Sequence, residues 1–423
     1  MAENRLQRLS ELGQSVWIDN LSRPLVREGG LTRLMEEDAV VGVTSNPTIF
    51  QKALAEGDAY DEQMREVIAN ESDNTEVFLQ LATRDVSDAC DLLRPVWDRG
   101  GGRDGYVSIE VTPDLAYDTE GTIAQAQRLH EWIDKPNLLV KIPATEPGLG
   151  AIEEMIARGR SINVTLTFSL HRHAQVAEAY LRGLERLVES GGDPTTVASV
   201  ASFFVSRVDT EADNRLDAVG GHDELLGRTA VANAKLAYQH YLETFDGDRW
   251  EALAAKGATP QRCLWASTST KNPAYRDTLY VEELIGRDTV NTMPDSTIED
   301  FQDHGEIRGL TVEEDVEGAR ATLEALAKAG VDYDDVTATL EREGVEKFDA
   351  SFKELLDEVA RKRDTLEEDL DGAHKVFEDL KAAGVDYDDV VETLEKEGVQ
   401  KFADSFKELF SDIESKRDSL VAA

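Results

Sequence analysis

An α/β fold, a (β/α)8 TIM barrel of parallel strands and intervening helices, is predicted for this chain by three observations. Short β-rich apolar runs alternate with amphipathic stretches. Eight such runs can be counted, the number that closes a barrel. Beyond about residue 310 the composition turns to acidic, aromatic-poor helix carrying an internal repeat, which adds a duplicated C-terminal helical unit to the barrel.

The runs are Val16 to Leu21, Val40 to Ser45, Tyr106 to Val111, Leu138 to Ile142, Ile162 to Phe168, Val197 to Val205, Cys263 to Ser267 and Thr289 to Thr292. Between them, segments such as Gly121 to Ile133 and Ala174 to Val188 repeat apolar residues at three and four spacing, the period of one helix face. An open doubly wound sheet would carry a glycine-rich turn just after its first strand. GGGRDG at 100–105 precedes a strand instead, so it fits that pattern poorly.

The repeat runs from Gly330, as GVDYDDVTATLEREGVEKFDASFKELL, and returns 54 residues on from Gly384, as GVDYDDVVETLEKEGVQKFADSFKELF. About two-thirds of the positions match, more than compositional bias gives. Each copy reads as a short helix, a glycine turn and a long helix with Phe and Leu on one face, as at Phe348, Phe352, Leu355 and again at Phe402, Phe406, Leu409. The organisation expected is a barrel over 1–318, a first helical copy over 319–366 and a second over 367–423. Two copies are too few for a solenoid. The second copy is expected either to pack on the barrel or on a neighbouring subunit of a homo-oligomer, or to stand as a solvated tail.

Charge restricts the partners. The 45 basic against 85 acidic residues give a formal charge of -40, which repels phosphate backbones and anionic lipids, so neither nucleic acid nor a membrane surface is expected as a partner. That charge reads as a solvated surface, or more sharply as adaptation to salt. The apolar runs are too short to span a bilayer, and MAENRLQRLSELG lacks the apolar stretch of a secretory signal. Two cysteines, Cys90 and Cys263, have neither disulfide-framework nor zinc-site spacing, so free thiols in the cytoplasm are expected.

The chemistry lies in polar residues set into the apolar strands. Lys141, in NLLVKIPAT, alternates with residues of the opposite face and so points into the barrel or its mouth. Desolvation favours a neutral amine, which is a nucleophile toward carbonyl carbon. Asp19 in VWIDNLS and Glu110 in VSIEVTP place carboxylates at strand ends, where a barrel assembles its site. A Schiff-base enzyme needs one group to exchange protons as the carbinolamine loses water and another to take a hydroxyl proton as carbon–carbon bonds break. On spacing alone, either acid could equally be a structural ion-pair partner of Lys141. Asn46 in GVTSNPTIF and Asn163 with Thr165 in INVTLTFS offer neutral donors and acceptors for a polyhydroxy ligand, or serve as turn and ladder-end residues. His171 and His173 are two apart on a helix start and do not face together, which argues against a metal pair.

VWIDNLSR, GVTSNPTIFQKAL, VSIEVTPDLAYDTEGTI, LLVKIPAT, INVTLTFS, ASVASFFVSRVD and WASTSTKNPAYRDTLYV together resemble, in order and spacing, the signature segments of the transaldolase family, from about residue 5 to 365. The resemblance is to the longer, bacterial form, and the extra 54-residue unit is its main departure. It implies that Lys141 forms the Schiff base and that Asp19 handles the C4 hydroxyl proton. Glu110, with a water held by Thr165, would shuttle protons during imine formation. Asn46 and Asn163 would hold the dihydroxyacetone hydroxyls, and Ser202 and Arg207 would bind substrate and its phosphate. Lys271 stands where many members carry a second phosphate-binding arginine, and supplies charge without the bidentate fork.

What the resemblance implies is transfer of dihydroxyacetone from fructose 6-phosphate or sedoheptulose 7-phosphate to an aldose phosphate, in the non-oxidative pentose phosphate pathway, with no cofactor and no metal. A sibling activity, fructose 6-phosphate cleavage, goes with a tyrosine where Phe204 stands, so Phe204 favours transfer. A barrel that has lost catalysis and binds partners through its repeat is the third reading. The Asp19, Glu110, Lys141 set argues against it.

Overall fold

The computed structural model describes residues 4–421, with side chains described for all of these but 369–371, 373 and 411–421. Eight parallel strands close into a barrel in sequence order. They are β1 (Gln14–Asp19), β2 (Val40–Thr44), β3 (Tyr106–Glu110), β4 (Leu138–Pro143), β5 (Ile162–Thr167), β6 (Ser199–Phe204), β7 (Arg262–Ala266) and β8 (Thr289–Met293). Closure is made by β1 on β8, with Gln14 opposite Thr289 and Ile18 opposite Met293. Each of the eight expected runs contains a strand, within two residues at either end, and the strands are buried along nearly their whole length. Burial on both faces is why they read as continuous apolar runs and not as alternating ones.

Alternation is nevertheless what builds the interior. Trp17, Tyr106, Leu139, Val200, Leu264 and Val290 form one buried cluster drawn from six strands. Trp17 is accommodated because Gly42, opposite it on β2, has no side chain, and a Cβ there would lie 2.5 Å from the indole. The amino-terminal end of the barrel is closed by Asp104, which accepts hydrogen bonds from Ser15 Oγ at 2.8 Å, Trp17 Nε1 at 3.2 Å and Arg262 Nη2 at 3.0 Å. Two residues further along each inward row stand Asp19, Thr44, Ser108, Lys141, Ser202 and Thr292, so the same parity that plugs the bottom with apolar groups delivers polar ones toward the carboxyl end.

Contact density divides the chain into residues 1–360 and 361–423. In the first unit a short helix (Val316–Lys328) turns at Gly330, φ +89°, into a long one that begins at Tyr333. Its first part is fixed on the barrel by named contacts. Tyr333 Oη accepts from Leu170 N at 3.0 Å and donates to Asn233 Oδ1 at 2.6 Å, and Arg172 pairs with Glu341 at 3.2 Å. Phe352 meets Phe78 edge-on at 5.8 Å. Gly344 does not interrupt this helix; a Cβ there would lie 3.3 Å from both Leu166 and Phe168, so the missing side chain lets the helix approach the mouth. The second unit holds the end of the long helix (Tyr333–Ala382), a turn at Gly384 and the helix Tyr387–Val421, with Phe377 and Tyr387 in edge contact at 4.9 Å.

No helix among the described residues is long and apolar enough to cross a membrane. Cys90 and Cys263 are buried free thiols. His171 is exposed, whereas His173 is buried with its ring edge-on to Phe203 and Nε2 3.7 Å from Cys263 Sγ; burial pushes its pKa down to about 3.

Candidate active site

A cavity of ≈ 700 Å³ opens at the carboxyl ends of the strands. Lys141, Asp19, Glu110, Thr165, Asn46, Ser202, Phe204, Arg207 and Lys271 all line it. They come from β1, β3, β4, β5 and β6, and from the loops or helix starts that follow β2, β6 and β7. Nine side chains scattered over some 250 positions of sequence thus converge because a parallel barrel places every strand's carboxyl end on one face.

Lys141 is the centre. Parallel pairing sets it opposite Glu110 on β3 and Asn163 on β5. Its Nζ lies 2.9 Å from Glu110 Oε2 and donates to the Ser45 carbonyl at 3.0 Å. Both members of the ion pair have only 9% of their side-chain surface exposed. Burial pushes the Glu110 carboxyl above its ordinary pKa, against the pull of Lys141 and Arg207 in the other direction. A carboxyl raised in this way and 2.9 Å from an amine is placed to take up a proton from it and to return one.

Asp19 is also held above the usual carboxylate range by burial, with Lys141 and the Thr44 hydrogen bond opposing the shift and Asp295 adding to it. Its Oδ1 accepts from Thr44 Oγ1 at 2.7 Å, and Thr44 in turn shares a hydroxyl hydrogen bond with Thr292 at 2.7 Å. Asn46 serves two purposes. Its Oδ1 caps the helix Pro47–Ala55 by accepting from Ile49 N at 3.1 Å, and its Nδ2 is turned toward Asp19 Oδ2 at 3.5 Å. The capping reading and the ligand reading are therefore compatible, because different atoms of one amide carry them.

Asn163 is placed differently from its companions. It is fully buried and is not among the residues lining the cavity. Its Nδ2 donates to Ser108 Oγ at 3.1 Å and its Oδ1 accepts from Ser202 Oγ at 2.7 Å, so it lies beneath Lys141 and orients the serine that does reach the cavity. Thr165 is buried and faces the opening. Just after it Leu166 adopts φ +58°, where the β5–β6 register shifts between Val164 and Thr167. A non-glycine residue held there costs of order 1 kcal/mol, and such strain concentrates at functional mouths.

Two cations supply the positive charge that the acidic chain otherwise withholds. Arg207 sits in the first turn of the helix Ser206–Val219, its guanidinium 5.2 Å from the Phe204 ring centre. Burial lowers its pKa, while Glu110 and Glu343 raise it. Lys271 is on the rim, donating to Ser269 Oγ at 2.6 Å. Loss of solvation, then Arg207, lower its pKa, and Asp19 opposes them. A lysine depressed by burial and by the neighbouring arginine marks a place that an anion would relieve.

Sequence reasoning missed several lining residues. Thr44 and Thr292 follow the same inward parity as Asp19 and Lys141 and were legible by that rule. Lys52, Lys347, Phe348 and Ser351 were not, because they come from helices that only the closed fold brings over the mouth. Among the described residues no group of three or more His, Cys, Asp or Glu is placed to hold a metal.

The family model for transaldolase/fructose-6-phosphate aldolase matches residues 16–359. The chain belongs to this family. Among curated relatives, the transaldolase of Acidothermus cellulolyticus is 54% identical over 357 residues, covering 84% of this chain and 96% of that protein. The transaldolase of Frankia alni is 51% identical over 360 residues, covering 85% and 97%. Transaldolase 2 of Streptomyces avermitilis is 52% identical over 353 residues, covering 83% and 95%. The transaldolase-family match ends just before the second unit, which begins at Arg361.

Proposed function

We propose that this chain is a transaldolase working through a Schiff base on Lys141, moving dihydroxyacetone from a ketose phosphate to an aldose phosphate in the non-oxidative pentose phosphate pathway. The observation that carries the reading is the buried Lys141–Glu110 pair at the floor of a cavity that also holds Asp19 and, at its mouth, Arg207 and Lys271.

The geometry supports the following sequence. The Lys141 ammonium passes a proton to Glu110 across 2.9 Å, and the neutral amine attacks the C2 carbonyl of the ketose. Glu110 returns that proton to the carbinolamine hydroxyl, which leaves as water and gives an iminium; Thr165 holds the water. Asp19 takes the proton from the C4 hydroxyl, the C3–C4 bond breaks, its electrons move into the iminium, and an aldose phosphate departs. The bound enamine then adds to the second aldose phosphate by the reverse steps. Asn46, and Asn163 through Ser202, hold the hydroxyls of the three-carbon unit. Arg207 and Lys271 take the phosphate.

Phe204 favours transfer over simple cleavage, since it puts no hydroxyl beside the bound enamine. The charge of -40 argues against nucleic acid and membrane as partners, Arg207 and Lys271 supply the local positive charge that sugar phosphates need, and the free thiols of Cys90 and Cys263 suit a cytoplasmic protein. Incubation with fructose 6-phosphate and borohydride, then peptide mapping, is expected to give an adduct on Lys141. An adduct elsewhere, or none, refutes the reading. Lys141→Ala should lose turnover while remaining folded, and added erythrose 4-phosphate should yield sedoheptulose 7-phosphate only with the unaltered chain.

A further inference from the structure

The two copies of the helical repeat carry the same residues into opposite surroundings. In the first, Leu340, Phe348, Phe352 and Leu355 are at most 8% exposed. Their counterparts 54 residues on, Leu394, Phe402, Phe406 and Leu409, are 62%, 68%, 45% and 52% exposed. The polar contacts that seat the first copy also have their equivalents, with Tyr387 for Tyr333 and Glu395 for Glu341. The second copy therefore presents to solvent a helix face that, in the first, is the buried side of an interface. An exposed apolar patch of this extent marks a contact surface.

We infer that the second unit is a self-association surface, whose occupant is the same face of a second copy of this chain. Area is the first argument. Among the described residues of this unit, five aromatic side chains (Phe377, Tyr387, Phe402, Phe406, Phe410) and six aliphatic ones are about half exposed. At roughly 200 Å² per aromatic and somewhat less per aliphatic side chain, that is roughly 1,000 Å² of apolar surface per chain. Covering two-thirds of it on each of two chains buries roughly 1,300 Å², within the range of stable specific interfaces.

The second argument decides between occupants. The barrel of another chain could in principle receive this face, because it already receives the first copy. That exchange would expose one such face for each one it buries, so it gains no apolar burial. Pairing two second units buries both faces at once, and one patch meeting its own image across a two-fold axis closes the assembly.

Charge sets the conditions. Residues 361–423 hold 10 basic and 18 acidic residues, a net of -8 (10 - 18), so two such units repel. Salt screens that repulsion and leaves the apolar contact intact, so association tightens as ionic strength rises. The acidic surface and the duplicated unit are then linked, with assembly favoured in salt.

Sedimentation of the full chain against concentration, at about 0.1 M and about 1 M KCl, is expected to show one association step that strengthens with salt. The full-length variant Phe402→Glu/Phe406→Glu should lose that step, its dissociation constant rising at least about 100-fold, with helicity and turnover retained. Identical association of the variant and the unaltered chain overturns the inference, as does a monomer under all conditions. Hydrogen exchange identifies the occupant. Protection should rise over 387–410 with concentration while 333–355 is unchanged, and a loss of protection over 333–355 would show exchange of caps between barrels and overturn pairing.

Discussion

Replacing Glu110 by Gln tests whether the carboxyl paired with Lys141 is a proton carrier or only a counter-ion. The substitution keeps size and shape, so the cavity and the neighbouring strands are undisturbed. What changes is protonic. With the carboxylate 2.9 Å from Nζ and 9% exposed, no bulk water stands between amine and acid, and an amide can neither accept the ammonium proton nor return one to the carbinolamine hydroxyl. A positioned acid–base group contributes about 10²- to 10⁴-fold, which is roughly 3 to 5 kcal/mol of barrier. Turnover of Glu110→Gln should fall by that factor, while slow borohydride trapping on Lys141 persists because the nucleophile remains. The assay is steady-state sugar-phosphate transfer beside single-turnover trapping, with thermal denaturation as a control. Removing one partner of a buried pair costs about 3 to 5 kcal/mol, so a lowered melting temperature is expected and must be kept apart from the rate effect. A turnover within threefold of the unaltered chain, in a folded variant, would refute the proton-carrier role and leave Glu110 a structural partner.

Two further substitutions probe what holds the site. Asp209 is buried, accepting from Ala230 N at 2.6 Å and Tyr280 Oη at 2.9 Å, and burial pushes its pKa up to about 7 from 3.8. A raised acid is more protonated folded than unfolded, so its stabilisation is present below pH 3.8 and lost as pH rises through about 7. Asp209→Asn should thus match the unaltered chain near pH 4 and exceed it by about 4 kcal/mol at pH 8 in urea unfolding, and a pH-independent difference would refute the shift. Phe352→Ala removes a ring that is 8% exposed and packed on Phe78, at about 3 kcal/mol. Because the same helix brings Lys347, Phe348 and Ser351 to the cavity, KM for the sugar phosphate should rise more than kcat falls, and an unchanged KM would show the cap to be independent of the site.

The barrel was legible because its strands are buried on both faces. Every run the sequence offered as continuous and apolar contains a strand, and among the polar residues that interrupt those runs Asp19, Thr44, Glu110, Lys141, Thr165, Ser202 and Thr292 line the cavity. Lys141, Asp19 and Glu110 are conspicuous for the same reason that they are useful: charge in an apolar strand is costly and has to be placed. Thr44 and Thr292 obey the same parity, yet a threonine in a strand has high β propensity and raises no alarm. Asn163 shows the opposite limit. Parity puts it in the inward row, but only packing reveals that Ser108 and Ser202 occupy its amide and remove it from the lining.

The C-terminal repeat marks where sequence reasoning stops for a physical reason. Phe348 and Phe402 have identical neighbours one, three and four residues away on several sides, so no local pattern separates them, yet one is 8% exposed and the other 68%. Burial is a property of what lies opposite a helix face, and that partner is absent from the helix's own sequence. The duplication supplies a comparison that one copy could not. The first copy shows what this face does when a partner is present, by covering the mouth with Gly344 against Leu166 and Phe168. At Gly398 a Cβ would meet nothing within 4 Å. The close approach that requires glycine in the first copy is thus not used in the second, while the large apolar side chains that drive association are all kept. Gly398 is kept along with those side chains, so the contacts to be told apart for this face are a looser helix–helix pairing and a close seat on a second barrel. Gly398→Ala separates the two: it should leave association and helicity intact if helices pair, and should block docking if a barrel mouth receives this helix.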